Sequence, residues 1–365
     1  RSVPGQVSML RLRRGNPVSS SVVPWTVLLA TLITVLSRSC IVSRYDAQYR
    51  RSPYEVLELR KLNAYAVLYS FTLYQYRRAV YLIRRVCRES EDPCRIIPPY
   101  VVTADGVVQH DMSPRHKIAS CSIRKNMSSM IKGIFCYLER MEQFVAEGRV
   151  VTQEGHHGFC WDIVCFEQHV ERSANDTRLE PYNEADWSFL FVLRDPYQRF
   201  VSGFEDKCKR DETMCYHCLN DMQCHLDKLL EDAQRISRTH EAVYTYEQTM
   251  MHFAPQSWYC NLGAHLHDYN FMIFDSSQRQ NLLDQLLPIL REKGVSETSI
   301  AKISQDVLTS LEPHSTAGLP TKQDVYDRLE RQTQLRVKLL RFLLYDYVVF
   351  DLPLPSALGR YALPY

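Results

Sequence analysis

Glycine is scarce in this chain, 12 residues in 365, and none of them builds a Gly-x-x-x-x-Gly-Lys-Ser/Thr cradle. With no strand-end aspartate evident to hold magnesium, this counts against a nucleoside triphosphatase or nucleotide kinase. An excess of one charge is also missing. The formal net charge is +2, and residues 101–365 carry 28 Lys/Arg against 36 Asp/Glu. That part is acidic and lacks the basic surface that DNA or RNA requires, so any anion site must be a local pocket. No internal repeat or low-complexity run occurs. Long apolar runs are absent too, apart from an uncharged stretch from Asn16 to Ser37 that is apolar mainly between Val22 and Leu36. It is short for a membrane span, which wants about 20 apolar residues. Arg11, Arg13 and Arg14 precede it. Two readings remain: a signal anchor at 22–37 behind a basic tail of residues 1–21, or a signal peptide cleaved near Ser37-Arg-Ser39. Both send the remainder into a secretory lumen.

Cysteine, by contrast, is plentiful: 12 residues. Cys215-x-x-Cys218 with Cys224-His225 would suit zinc in a reducing compartment. An oxidising lumen favours disulfides instead, with Cys208, Cys215, Cys218 and Cys224 pairing mostly among themselves. The glycosylation sequons are Asn126-Met-Ser128 and Asn175-Asp-Thr177.

Two segments carry the chemistry. Ile118 to Ile123 is a short, uncharged, apolar run that predicts a buried strand. After Arg124 and Lys125, the residues Met127, Met130, Ile131, Ile134, Phe135 and Leu138 recur at helical spacing. A strand-to-helix turn of this kind aims unpaired helix amides at an anion. Lys125 adds a mobile charge, and Ser128 and Ser129 add hydroxyl donors. A plain turn with a solvated lysine is the bland alternative. The second segment predicts a strand over 188–193 ending in Arg194, with Pro196 opening a helix. Arg194 would then stand at a strand's carboxyl end, where open α/β sheets bind ligands. Its guanidinium can grip a phosphate through two hydrogen bonds, and the hydroxyl of Ser202 can complete the cradle.

Lys125 with Ser128 and Ser129, followed by Arg194-Asp-Pro-x-x-Arg199-x-x-Ser202-Gly-Phe, resembles the two donor-binding motifs of Golgi carbohydrate sulfotransferases. Asp206-Lys-Cys208, the cysteines after it, and His252-Phe-Ala-Pro-Gln256-Ser-Trp-Tyr-Cys260 are similar to a nematode-expanded branch of that family. The resemblance covers roughly residues 110–350. It departs at Asn126, where relatives often carry serine. It implies a P-loop-like α/β fold, a parallel sheet with helices on both faces, behind an N-terminal membrane anchor and a stem. It implies 3′-phosphoadenosine 5′-phosphosulfate (PAPS) as donor, a glycan or proteoglycan as acceptor, no metal, and a single-pass type II Golgi membrane protein with a lumenal catalytic domain. The expected donor contacts are Arg124, Lys125, Asn126, Met127, Ser128, Ser129, Arg194 and Ser202. Lys125 would neutralise the leaving 5′-phosphate, and His252 or His157, with His156 beside it, would serve as base. Asp195 is expected to cap a helix or pair with an arginine, and Arg199 to form a salt bridge on a helix surface. A glycan on Asn126 would block the donor loop, so Asn175 is the expected acceptor. A membrane-anchored binding protein that kept the fold and lost the chemistry is the rival from outside enzymology.

Residues 38–97 are expected to form the stem, with one helical candidate from Glu55 to Arg88, packed on the catalytic domain or lying at a membrane surface. The catalytic domain is expected over 98–355. Beyond Ser202, helices are predicted at 219–236, 240–251, 279–293, 296–311 and 321–345. Strands are predicted at 270–274 and 347–350.

Overall fold

The computed structural model describes residues 53–91, 93–99, 108–156, 158–160, 165–168, 186–209, 214–239, 248–275, 278–310 and 319–361. The 1–51 segment with its apolar run, His157 and the Asn175 sequon lie outside the described residues. In chain order the elements are α1 (Pro53–Leu68), α2 (Leu73–Glu89), β1 (Val108–Ser113), β2 (Ile118–Cys121), α3 (Ser128–Glu139), α4 (Met141–Ala146), β3 (Cys165–Gln168), β4 (Ser188–Arg194) and α5 (Pro196–Lys207). There follow α6 (Met222–Thr239), α7 (Gln248–Phe253), α8 (Leu262–His265), β5 (Tyr269–Phe274), α9 (Arg279–Glu292), α10 (Glu297–Thr309), α11 (Pro320–Arg331) and α12 (Thr333–Val349). No helix among the described residues is long and apolar enough to cross a membrane.

The five strands form one sheet in the order β3-β1-β2-β4-β5. β2, β4 and β5 run parallel, Ser120 facing Leu190 and Leu190 facing Asn270. β1 runs antiparallel to both β2 and β3, so the sheet is mixed and not wholly parallel as expected. The reason is the connection. β1 and β2 are joined only by Pro114–His116 and Lys117, the latter with φ 51°. So short a link can reverse the chain but cannot cross over it. β1 reads Val-Gln-His-Asp-Met-Ser, too polar to advertise a strand.

Alternation along the strands sorts the core. Ile118, Leu190, Val192, Met272 and Phe274 meet Ile131, Ile134, Phe135 and Leu138 of α3, Leu282, Leu283 and Leu286 of α9, and Ile300, Ile303 and Val307 of α10. On the opposite face Phe191 and Phe271 stack near Phe350, at the end of α12, with ring centroids 5.7 and 5.9 Å away. Close packing of α3 depends on Gly133, since a Cβ there would lie 2.0 Å from the Val151 carbonyl oxygen.

Two secondary-structure expectations are corrected here. The run Tyr347-Val-Val-Phe350 is not a strand but the end of α12, a helix buried from Leu335 to Val349. A short apolar run cannot distinguish a core strand from a helix buried all round. The 55–88 candidate is two helices. Ser70 turns left-handed at φ 49°, Phe71 N–H donates to Ala66 O and Ser70 N–H to Val67 O, closing α1 with a Schellman motif. Thr72 and Gln75 then form a reciprocal capping box that opens α2.

Nor does packing break at residue 98. Ser52–Tyr365 is one compact unit. Arg78 of α2 donates to Tyr347 O at 3.0 Å, Gln75 to Val348 O at 3.1 Å, and Ile97 N–H to Arg341 O at 3.0 Å. The helices assigned to a stem are therefore bolted to α12.

Candidate active site

β2 and β4 are neighbours running the same way, so the turns after them open side by side. In the first turn Lys125 and Met127 are left-handed, at φ 69° and 62°. Left-handed residues beside helical ones swing consecutive amides toward one side and form an anion-binding concavity. No side chain caps α3, which leaves its first amides facing this turn. Ser128 and Ser129 stand half-buried in its first turn.

The second turn is built differently. The Asp195 carboxylate accepts from Gln198 N–H at 2.8 Å and caps α5, with Pro196 in the first helical position. Arg194, 5% exposed, sends Nη1 to the backbone carbonyl oxygen of Lys125 at 2.9 Å. The two segments, distant in sequence, thus meet directly.

A third element, the 3-10 turn Gln256–Trp258, joins them. The Gln256 side chain pairs with the Arg194 backbone in both senses: Oε1 accepts from its N–H at 3.1 Å, and Nε2 donates to its carbonyl at 2.9 Å. Asn126 Nδ2 donates to the same Oε1 and to Val192 O, the latter at 2.7 Å. Asn126 is buried and its amide nitrogen is committed to these bonds, an arrangement that excludes a glycan in the folded protein. Asp346 of α12 fixes the Gln256 turn from behind, accepting from Gln256 N–H at 2.7 Å and Ser257 N–H at 3.0 Å. Burial pushes the Asp346 carboxyl up, against the pull of those two amides. A disulfide, Cys121–Cys260, ties the end of β2 to the same loop.

Arg199 corrects an expectation. It is buried, not on a helix surface, and donates through Nε to Arg124 O at 3.0 Å and through Nη1 to Ala254 O at 2.7 Å. Its remaining nitrogen reaches the Tyr259 hydroxyl at 3.3 Å. Carbonyls turned out at two loop ends need a multivalent donor, and a guanidinium supplies one. Periodicity alone does not distinguish such a bolt from a surface arginine.

Electrostatically the site is cationic with one strong internal acid. Asp206 of α5 pairs with Lys125 and, at 3.3 Å, with Lys207. Burial raises the Asp206 carboxyl, but the two lysines more than offset this and hold it below the usual carboxylate range. Burial drives Lys125 below the lysine range, Asp206 opposing and Arg194 and Lys207 assisting. Lys322 of α11 is also pushed down, by burial and then by the charge of Arg194.

The other predicted residues are placed as follows. Arg124 is half-buried at the start of the first turn, and Ser202 is buried on α5. His252 is half-buried in the last turn of α7, four residues before Gln256. His156 closes a 3-10 segment, Val151–His156. The cysteine cluster pairs as Cys208–Cys215 and Cys218–Cys224, which leaves none of these four as a thiolate for zinc. Cys136–Cys160 and Cys87–Cys94 complete the disulfides among the described residues.

Residues 108–353 match the sulfotransferase family. This chain belongs to that family. Its identity to carbohydrate sulfotransferase chst-1 of Caenorhabditis elegans is 28% over 267 residues, covering 70% of this chain and 78% of the relative. Identity to C18B2.2, an uncharacterised protein of the same nematode, is 28% over 256 residues, covering 68% and 70%. No solved structure matches significantly. For this sulfotransferase the matched span holds both turns and the Gln256 loop, while α1 and α2 lie outside it. Gln256 lies inside the His252–Cys260 motif, whose pattern does not reveal its role. Asp346 has a sequence signal, a lone charge within the otherwise uncharged, largely apolar run from Phe342 to Val349.

Proposed function

We propose that this sulfotransferase moves the sulfuryl group of PAPS to a glycan hydroxyl. The observation that carries the reading is the bond from Arg194 Nη1 to the Lys125 carbonyl at 2.9 Å, which brings the two anion-gripping turns into one site. A donor with phosphate at both ends needs two such grips a nucleotide apart. The residues fit that need: an uncapped helix start with Lys125 in one turn, and the Arg194 guanidinium in the other.

In this reading the acceptor oxygen attacks sulfur, the sulfur–oxygen bond to the 5′-phosphate breaks, and adenosine 3′,5′-bisphosphate leaves. The protein's part is placement and charge stabilisation, as in phosphoryl transfer. Lys125 and the α3 amides take the charge that grows on the bridging oxygen, an effect worth about 3 kcal/mol of barrier for one donor. Arg194 and Ser202 hold the 3′-phosphate, with Arg124, Asn126, Met127, Ser128 and Ser129 lining the other end. Asp206 keeps Lys125 charged and in place until the donor arrives. His252 or His157 takes the acceptor proton, which contributes roughly 10²–10⁴ in rate. The catalytic unit faces the Golgi lumen behind a type II anchor at residues 22–37.

The test is incubation of the purified protein with radiolabelled PAPS and a panel of glycans, with and without EDTA. Label transfer that survives EDTA and is lost in Lys125→Ala and Arg194→Ala is expected. Unchanged transfer in both variants would overturn the assignment.

A further inference from the structure

Of the two helices outside the family match, α1 distributes polarity the wrong way round. On α1 the carboxylates Glu55 and Glu58 face inward, 5% and 1% exposed, beside Leu59, Leu62 and Ala66. They are held there by cations: Glu58 accepts from Lys61 at 2.8 Å, and Glu55 lies 3.6 Å from Arg84. The opposite arc of the helix carries Leu57 and Val67, 48% and 49% exposed, with Arg60 and Ala64 between them. Round the Ser70 turn, Leu73 and Tyr74 at the start of α2 are 50% and 53% exposed. A helix facing water does the reverse. Clustered apolar exposure of this kind marks an interaction surface.

Charge selects the occupant. Between residues 53 and 88 the only acids are Glu55 and Glu58, both buried, whereas Arg60, Arg77 and Arg88 are exposed. The outward face therefore combines apolar side chains with cations alone. A second copy packed symmetrically would set arginine against arginine. The apolar segment from Val22 to Leu36 has no charge with which to answer them. A phospholipid surface answers both features: apolar side chains enter the acyl boundary, the tyrosine ring sits at headgroup level, and arginines meet phosphates.

We propose that the outer face of the α1–α2 hairpin, centred on Leu57, Val67, Leu73 and Tyr74, docks on a phospholipid bilayer and holds the catalytic unit against it. The contact is separate from any anchor at 22–37. It is tested in the full chain reconstituted into vesicles whose acyl chains carry bromine, a short-range quencher of tryptophan. Reporters are Leu57→Trp and Tyr74→Trp on the hairpin, with Val145→Trp, on an exposed position of α4, as reference. Quenching at 57 and 74 about twofold or more above the reference is expected. Arg60→Glu with Arg77→Glu should return it toward the reference level. Quenching at both hairpin positions no greater than at 145 would overturn the proposal. So would burial of the reporters in lipid-free detergent solution, which assigns the face to a second copy if it grows with protein concentration and to residues 22–36 if it persists on dilution.

Discussion

The two strand-to-helix turns of this sulfotransferase occupy equivalent places on adjacent parallel strands, yet they are made from different parts. After β2 the turn withholds a side-chain cap and offers its own amides, with left-handed backbone at Lys125 and Met127. After β4 the helix-start amides are taken up by Asp195 and the Tyr347 hydroxyl, and the turn offers a guanidinium instead. Left-handed backbone at non-glycine residues is unfavourable and persists where the surroundings impose it. Here Asn126, between the two, is clamped by Val192 and Gln256. A neutral amide cradle tracks charge that develops during reaction, because its dipoles are already oriented. A guanidinium clamps a phosphate that does not change. On the proposed function, the contrast would put the first turn at the reacting end of the donor and the second at the spectator end.

The largest expected effect tests that division directly. Lys125→Ala should lower turnover by about 10²-fold or more while changing adenosine 3′,5′-bisphosphate binding only a few-fold. Arg194→Ala should weaken binding of the same bisphosphate by about tenfold or more, the scale of a lost charged hydrogen bond. Calorimetric titration beside single-turnover rates separates the two, and parallel losses in both variants would erase the distinction. Next in size is Gln256→Leu, which strips partners from the Arg194 backbone and Asn126 together. Each orphaned buried group costs about 1–3 kcal/mol, so denaturant melts should show a loss near the top of that range. A silent substitution would mean that the turns hold together without their shared strut.

Asp206→Asn sharpens the account of the first turn. The Asp206 carboxyl is held below its ordinary range, so its contribution to stability is present above the unfolded carboxylate value and lost as pH falls through the folded one. The variant should be less stable at pH 7, and the two curves should converge in acid as Asp206 of the wild type protonates. Curves that stay parallel would show that the ion pair contributes nothing. The smallest effect concerns the second turn. Asp195→Ala removes a helix cap and should lower stability by about 1 kcal/mol while sparing single-turnover chemistry. A loss of chemistry larger than the loss of stability would give Asp195 a role beyond the cap.

Legibility followed the same division. The strand before Lys125 and the strand ending in Arg194 could be read because both are short apolar runs closed by a change of period. Side-chain identity did the rest: a lysine and serines after one, an arginine and proline after the other. What could not be read was whatever depends on a distant partner. Arg199 looks like any charged residue on a helix until three loop elements are folded round it. Gln256 acts by imitating a strand beside Arg194, a geometry with no local pattern. The 347–350 run obeys strand composition and loses to the burial of α12 on every side. β1 hid because Gln109, His110, Asp111 and Ser113 put polar residues on both faces of the strand and leave no apolar alternation.

Four of the five cystines among the described residues are local, joining cysteines 6, 7, 7 and 24 positions apart, whereas Cys121 and Cys260 are separated by 139. Closing so long a loop removes about 5 kcal/mol worth of freedom from the unfolded chain. It also fastens the end of β2 to the loop that carries Gln256. A newly made polypeptide can complete its small hairpins early, but this staple waits until both halves of the molecule exist and the surroundings are oxidising. On the proposed function, competence for sulfuryl transfer is thereby coupled to maturation: a chain held among reducing thiols would lack the staple that fastens β2 to the Gln256 loop.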